Sequence, residues 1–252
     1  MTDTRTALIT GAAKRLGRAI ALDLARHGWN VAIHHNTSER EARATCEDAR
    51  SAGAKAVLIK ADLAREEETV TVVERAAQEL GPITALINNA SVFENDQWYS
   101  ADRESWHRHM DVNLRAPLVL SQAFAKQLPK DGHGAIVNLL DQRLFRPAPD
   151  FLSYGVSRAG LRWLTMTLAQ ALAPRIRVNA LAPGPILRGA RQSAAHFERE
   201  RSATILGHGA EPQDICDTVR YLLEAGAVTG QMIAVDGGQH LIWKLADMAE
   251  EQ

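Results

Sequence analysis

Tyr154 and Arg158 stand four residues apart in a stretch of helical character, so on a helix they share one face. A phenol beside a fixed cation is easier to ionise, because the cation favours phenolate, and it can then exchange protons closer to neutral pH. Asp141 precedes Tyr154 by thirteen positions and follows the apolar run 135–140, which reads as a strand. A side chain just past such a strand lies at the carboxyl edge of a sheet, where open α/β folds bind ligands. Asn113, in Asp111-Val112-Asn113, opens another helix beside that edge. Each residue also has an ordinary reading: Asn113 as a cap, Asp141 as a turn residue, Tyr154 as a half-buried core aromatic.

A second constellation lies near the start of the chain. Thr10-Gly11-Ala12-Ala13-Lys14-Arg15-Leu16-Gly17 falls between a first strand and a first helix. Glycines let backbone approach a pyrophosphate, and a helix N-terminus offers free N–H groups and a positive dipole. The strict GxGxxG spacing is absent, so a generic tight turn is the competing reading. After the second strand the run is His34-His35-Asn36-Thr37-Ser38, with no acid before Glu39. A NAD-binding fold places an acid there for the ribose 2′-hydroxyl. Thr37 and Ser38 with Lys14, Arg15 or Arg40 instead suit a 2′-phosphate, so NADP(H) is the expected cofactor. Asp62, past the third strand, is placed for the adenine edge or for capping the next helix.

The elements that must position these groups alternate along the chain. Strands are expected over 7–10, 30–34, 56–59, 85–88, 135–140, 176–181 and 232–235. Helices are expected over 16–27, 39–51, 66–80, 112–127, 152–173 and 214–223. Gly28, Gly53, Gly81 and Pro174 serve as stops. This rhythm predicts βαβ units in one doubly wound, Rossmann-like α/β domain over 1–252, with a parallel seven-stranded sheet covered by helices on both faces. The polar segment 188–209 breaks the rhythm, with weak helical character over 194–201, and reads as a lid or surface excursion.

Composition removes several functional classes. The 252 residues carry 29 Lys plus Arg against 30 Asp plus Glu, a formal net charge of -1, which is no footprint for nucleic acid. No apolar run reaches the length of a membrane span, and Met1-Thr-Asp-Thr-Arg-Thr-Ala has no secretory apolar core. Cys46 and Cys216 suggest neither a disulfide framework nor a metal site and fit a reducing cytoplasm. His34 and His35 point to opposite faces of a strand and so cannot chelate one ion; packing at the cofactor edge is the better reading. Trp98, Trp106, His107 and His109 read as a subunit or helix-packing surface, with substrate contact as the other reading. His196 and Phe197 are candidates for lining a pocket, Arg188 and Arg191 for attracting an anion or for a solvated face, and Trp243 for an oligomer interface.

Taken together, the chain resembles the short-chain dehydrogenase/reductase family over essentially its whole length. The resemblance is carried by Thr10-Gly11…Gly17, Asn88-Asn89-Ala90, Asn113, Tyr154-xxx-Arg158, Val178-Asn179…Pro183-Gly184 and Val235-Asp236-Gly237-Gly238. Within that family it is most similar to the pteridine reductases and bacterial dihydromonapterin reductases. Arg15 stands where most members have a glycine, Ser91 and Phe93 follow Asn88-Asn89-Ala90, Asp141 takes the place of the usual serine, and Asp236-Gly237-Gly238-Gln239-His240-Leu241 closes the match. The resemblance implies that Tyr154 and Asp141 deliver a proton and that Asn113 holds a relay water. It implies that Arg15 contacts pyrophosphate and substrate, Ser91 the cofactor phosphates, and that Phe93 stacks a pterin on the nicotinamide. It places Leu16, Leu63, Asn89, Ala90, Pro183, Gly184 and Ile186 against the cofactor, with the backbone of Ile186 at the nicotinamide amide. It also implies a homotetramer acting on a small molecule, without metal, membrane or nucleic acid.

Independent chemistry bears on the substrate. An ionised aspartate repels the oxyanion that forms on a reduced ketone. It suits a ring with N–H donors and a C=N bond, and Phe93 offers a planar heterocycle an apolar face, ordinary loop packing being its other reading. The departures are Arg158, where the family has lysine, and Thr37, where pteridine reductases have arginine. Arginine keeps the charge but is planar and does not deprotonate. A pterin reductase is therefore the first expectation. A carbonyl or ketoacyl reductase, and a dinucleotide-binding protein with little turnover, remain its rivals.

Overall fold

A computed structural model describes residues 5–189 and 192–243. Its strands are β1 (Thr6–Ile9), β2 (Asn30–His35), β3 (Ala56–Lys60), β4 (Ala85–Asn88), β5 (Gly134–Leu139), β6 (Ile176–Pro183) and β7 (Met232–Val235). The helices are α1 (Arg15–Arg26), α2 (Glu39–Ser51), α3 (Glu66–Leu80), α4 (Arg103–Met110), α5 (Ala116–Gln127), α6 (Leu152–Leu172), α7 (Ala194–Ser202) and α8 (Pro212–Glu224). All strand pairs are parallel, in the order β3-β2-β1-β4-β5-β6-β7. The chain winds outward from β1 to β3, then returns to β4 on the other side of β1. That reversal opens a crevice at the carboxyl ends of β1 and β4, the usual ligand position in such a sheet.

The alternation of strand side chains builds two cores. Ala7 and Ile9 of β1 face one layer, packed with Ile20 and Leu24 of α1 and Ile215 and Val219 of α8. Leu8, between them, faces the other, with Val72 of α3 and Leu120 and Phe124 of α5. Helix ends carry the expected chemistry. Glu66, Glu67 and Glu68 complement the dipole at the start of α3, which stops at Gly81 with φ +81°. A capping box, Glu211 with Asp214, opens α8.

Two differences from the predicted elements bear on the site. The helix expected over 112–127 is preceded by α4 and begins with a π-helical turn, Asp111–Arg115. α4 is polar, and His109 is its one buried residue, so it shows no apolar stripe; its signature is Asp102, which caps the Ser105 N–H at 2.8 Å. The excursion after β6 contains α7, longer by one residue than the weak pattern suggests, and Arg201 anchors it through Ala210 O at 3.0 Å and through Glu211.

Candidate active site

The β1–α1 turn is built for close approach. Gly11 has φ +63°, and a Cβ there would lie 3.0 Å from Ala90 Cα. A Cβ on Gly17 would come within 2.4 Å of Gly11 O and 2.5 Å of Asn89 Nδ2. Asn89 ties the two strand ends together, donating to Thr10 O at 2.7 Å and Gly11 O at 3.2 Å, while Thr10 Oγ1 accepts the N–H groups of Asn89 and Ala90, each at 2.9 Å. Lys14 is exposed at the N-cap of α1 and makes no side-chain cap bond. Arg15 adopts φ +56°, a conformation glycine takes without cost. Its guanidinium donates to Leu187 O and Arg188 O, both at 3.0 Å, joining the turn to the loop after β6.

His34 underlies this turn rather than facing ligand. It is 2% exposed, its Nδ1 accepts the Gly11 N–H at 3.1 Å, and its Nε2 lies 3.1 Å from Ala61 O. Those partners select the neutral ring with hydrogen on Nε2. Burial pushes the His34 pKa down to about 4. His34, expected to pack at the cofactor edge, is a buried brace beneath the Gly11 turn. His35, on the next strand position, meets Asn36 O instead.

Past β2, Thr37 is exposed and Ser38 caps α2 without using its hydroxyl. Glu39 is engaged by Arg43 at 2.6 Å, which holds its carboxyl below the usual range. Asp62 accepts the Ala64 N–H at 3.0 Å and does not cap α3, whose N-cap is Arg65; Leu63 is buried in the core. A glycine turn with no room for side chains, an open helix N-terminus, a free Ser38 hydroxyl and a cleft of about 1510 Å³ fit a dinucleotide.

The cleft is lined by Arg15, Leu16, Asn89, Ser91, Phe93, Asp141, Tyr154, Arg158, Pro183, Gly184 and Ile186 among the residues singled out from the sequence, with His196 and Phe197 of α7. Tyr154 Oη donates to Asp141 Oδ2 at 2.7 Å. Asp141 Oδ1 also accepts the Arg143 N–H at 2.8 Å, so the aspartate is turn residue and proton partner together. Arg158 is 3% exposed; Nη1 donates to Leu139 O at 3.1 Å, Cζ lies 5.2 Å from the centre of the Tyr154 ring, and Nε is buried without a partner. The cation does draw the Tyr154 pKa down. Burial, reinforced by Asp141, outweighs it, and the phenol ends above its ordinary value. The lowered value expected from sequence is therefore corrected: the buried hydroxyl is held protonated.

Asn113 is fully buried and its amide is committed to the protein. Oδ1 accepts the Val92 N–H at 2.9 Å, and Nδ2 donates to Val92 O at 2.9 Å and Ser157 Oγ at 3.2 Å. Its side chain braces the strand-end loop that carries Ser91 and Phe93. The Ser91 hydroxyl meets Val92 O at 3.2 Å.

Three features escaped the sequence reading. Phe151, left-handed at φ +55° just before α6, stacks on Phe93 at 4.3 Å with 5° between the rings. Arg143 lies over both rings. Its position two residues after Asp141 in one turn was the available signal. His109, read as part of a subunit or helix-packing surface, does pack α4 on α6, but it is fully buried behind Tyr154: Nδ1 lies 2.7 Å from Ser153 Oγ, which also bonds Asp96. Trp98, by contrast, is 80% exposed, and Trp106, His107 and Trp243 also lie on the surface. Arg188 donates to Gln192 O at 3.0 Å, and Arg191 lies outside the described residues. Among the described residues no His/Cys/Asp/Glu group is arranged to hold a metal, and no helix is long and apolar enough to cross a membrane.

Comparison with known proteins supplies relatives. A family profile described as "Enoyl-(Acyl carrier protein) reductase" matches residues 11–240. The chain is 31% identical over 243 residues to 3-oxoacyl-[acyl-carrier-protein] reductase FabG of Staphylococcus aureus, covering 94% of this chain and 99% of that one. It is 45% identical to FolM alternative dihydrofolate reductase 1 of Brucella canis, whose crystal structure with NADP matches with a TM-score of 0.94 over 99% of both chains. The angucycline C-6 ketoreductase LanV, with bound NADP, matches at 0.87 and 31% identity over 94% of this chain and 96% of that one.

Proposed function

The chain belongs to the short-chain dehydrogenase/reductase family and is an oxidoreductase; from that premise we propose that it is an NADPH-dependent reductase acting on the C=N bond of a dihydropterin. The observation that carries this reading is the 2.7 Å hydrogen bond from Tyr154 to Asp141 beside the aromatic shelf of Phe93. The 45% identity to an alternative dihydrofolate reductase supports it. NADP bound in two of the similar structures supports the cofactor, and the Gly11–Gly17 turn and Ser38 would hold it.

NADPH held by its pyrophosphate at this turn would supply the hydride from its nicotinamide. The chain must then place and protonate the substrate. Tyr154 is the acid: burial keeps its proton on the oxygen at neutral pH, ready for a ring nitrogen that gains electron density as its carbon is reduced. Arg158 stabilises the phenolate left behind. A guanidinium cannot give up a proton at any working pH, so Arg158 does not relay one as a lysine would. Asp141, hydrogen-bonded to Tyr154 and open to the cleft, is the route by which the tyrosine regains its proton. Asp141 also disfavours a ketone, whose forming oxyanion it would repel, although FabG and LanV act as relatives of that kind.

The resemblance further carries a cytoplasmic homotetramer. Val156, Trp163 and Met166, exposed by 43%, 66% and 37%, lie on one face of α6 and give a subunit contact its apolar area. Replacing the carrier of the reading tests it: Asp141→Ser lowers dihydropterin turnover by about 10²-fold or more and raises reduction of simple ketones. Unchanged dihydropterin turnover in Asp141→Ser would refute the assignment.

A further inference from the structure

We propose that Arg143 reads charge on the substrate, binding a carboxylate carried by the non-reacting part of a planar ligand; this rests on the reading of the cleft as a reductase site. Arg143 lies in the 3-10 turn Gln142–Leu144 and lines the cleft. Its guanidinium sits 4.7 Å from the centre of the Phe151 ring and 5.4 Å from that of Phe93. Ring contacts orient the group and use none of its five N–H donors. Among the described residues the guanidinium has no hydrogen-bond acceptor and no carboxylate, and Nη1 is shut off from solvent with no partner.

The nearby acids are already engaged. Asp141 directs Oδ2 to Tyr154 and Oδ1 to the backbone N–H of Arg143. Glu94 pairs with Arg108 at 3.0 Å. The other guanidinium groups of the cleft have protein acceptors: Arg15 on Leu187 O and Arg188 O, Arg158 on Leu139 O. Arg143 is half-buried at the wall of the cleft, and its guanidinium has no protein acceptor among the described residues, which leaves Nε and Nη2 available to an incoming group. A cationic donor without a protein partner gains a charge-assisted hydrogen bond when an anion arrives, and that gain becomes ligand affinity. The planar fork matches a carboxylate in two parallel hydrogen bonds, and the aromatic rings of Phe93 and Phe151 hold the fork in place. A neutral hydroxylated tail gains much less. The site is thus specific for a planar heterocycle with an anionic tail, such as a pterin conjugated to an amino acid, over the same ring with a neutral tail.

The test is calorimetric binding to the NADP⁺-loaded chain of two ligand pairs that share a ring and differ in charge: folic acid with its dimethyl ester, and 2-naphthoate with its methyl ester. Wild type is expected to bind each acid at least about tenfold more tightly than its ester. Arg143→Gln is expected to bring that preference below about twofold and leave the esters unaffected, with Arg143→Lys between. If the naphthoate pair alone binds and its preference is lost in Arg143→Gln, the role of Arg143 stands and the pterin reading fails. If folic acid and its ester bind wild type equally well, or Arg143→Gln weakens acid and ester alike, the role is overturned and the pterin reading survives. Failure of both acids to bind overturns it as well. Equal binding of acid and ester by wild type overturns the role even if Arg143→Gln does not fold, and retention of the full preference in Arg143→Lys overturns it too.

Discussion

Tyr154 combines two demands that pull in opposite directions. It must hold a proton at neutral pH and release it during one step. Burial and Asp141 secure the first, and Arg158 at 5.2 Å favours the second. If Asp141 rather than residue 158 returns the proton, Arg158→Lys should change kcat by less than about tenfold, whereas Asp141→Asn should lower it by about 10²-fold or more. Steady-state rates of both variants against one dihydropterin check this, and a large rise with lysine would show that the arginine impairs a relay. The partnership of Tyr154, Asp141 and Arg158 was legible in the sequence because helix spacing and strand ends fix rough positions. The direction of the Tyr154 shift was not, since it depends on burial that no spacing reports. Arg143 and Phe151 were hidden for a related reason: their contacts are made between loops.

At the scale of elements, the β1–α1 turn is the most constrained piece of the fold. Gly17 lies on the first turn of α1, against Gly11 O and Asn89. Gly17→Ala forces backbone apart, so it should weaken NADPH binding by at least tenfold and cost about 1–3 kcal/mol of stability. Fluorescence titration and thermal unfolding measure the two. The same turn is held by neutral His34, whose folded pKa of about 4 lies below its ordinary value of 6.5. The unfolded chain therefore takes up the proton first. This contribution, on the order of 3 kcal/mol, is fully present above about pH 6.5 and is lost as pH falls toward 4. Urea midpoints between pH 7 and 5 should show the loss, and His34→Gln should flatten it; an unchanged slope would contradict the role of His34. The strands were legible as short apolar runs, buried on both faces of the sheet, and most helices by their apolar spacing and their glycine or proline stops. α4 was not, because a helix that buries His109 alone carries no period.

At the scale of the whole molecule, alternating strands and helices announced a parallel doubly wound sheet, but strand order is a matter of pairing and no local pattern encodes it. The observed order puts β1 beside β4, and so Gly11 against Asn89 and Ala90 at the crevice. The proposed homotetramer predicts a four-chain mass by light scattering, and Trp163→Glu on the exposed face of α6 should shift the mass downward; a wild-type monomer at micromolar concentration would remove that expectation. Everything else depends on whether the cleft reduces a pterin. The measurement that tests this most directly is NADPH consumption with a dihydropterin, run beside NADH, a panel of simple ketones and the Tyr154→Phe variant. The account predicts turnover of the dihydropterin with NADPH, little with NADH or the ketones, and at least a hundredfold loss in Tyr154→Phe with NADPH binding retained. Clear NADPH binding without dihydropterin turnover, or ketone reduction in its place, would contradict it.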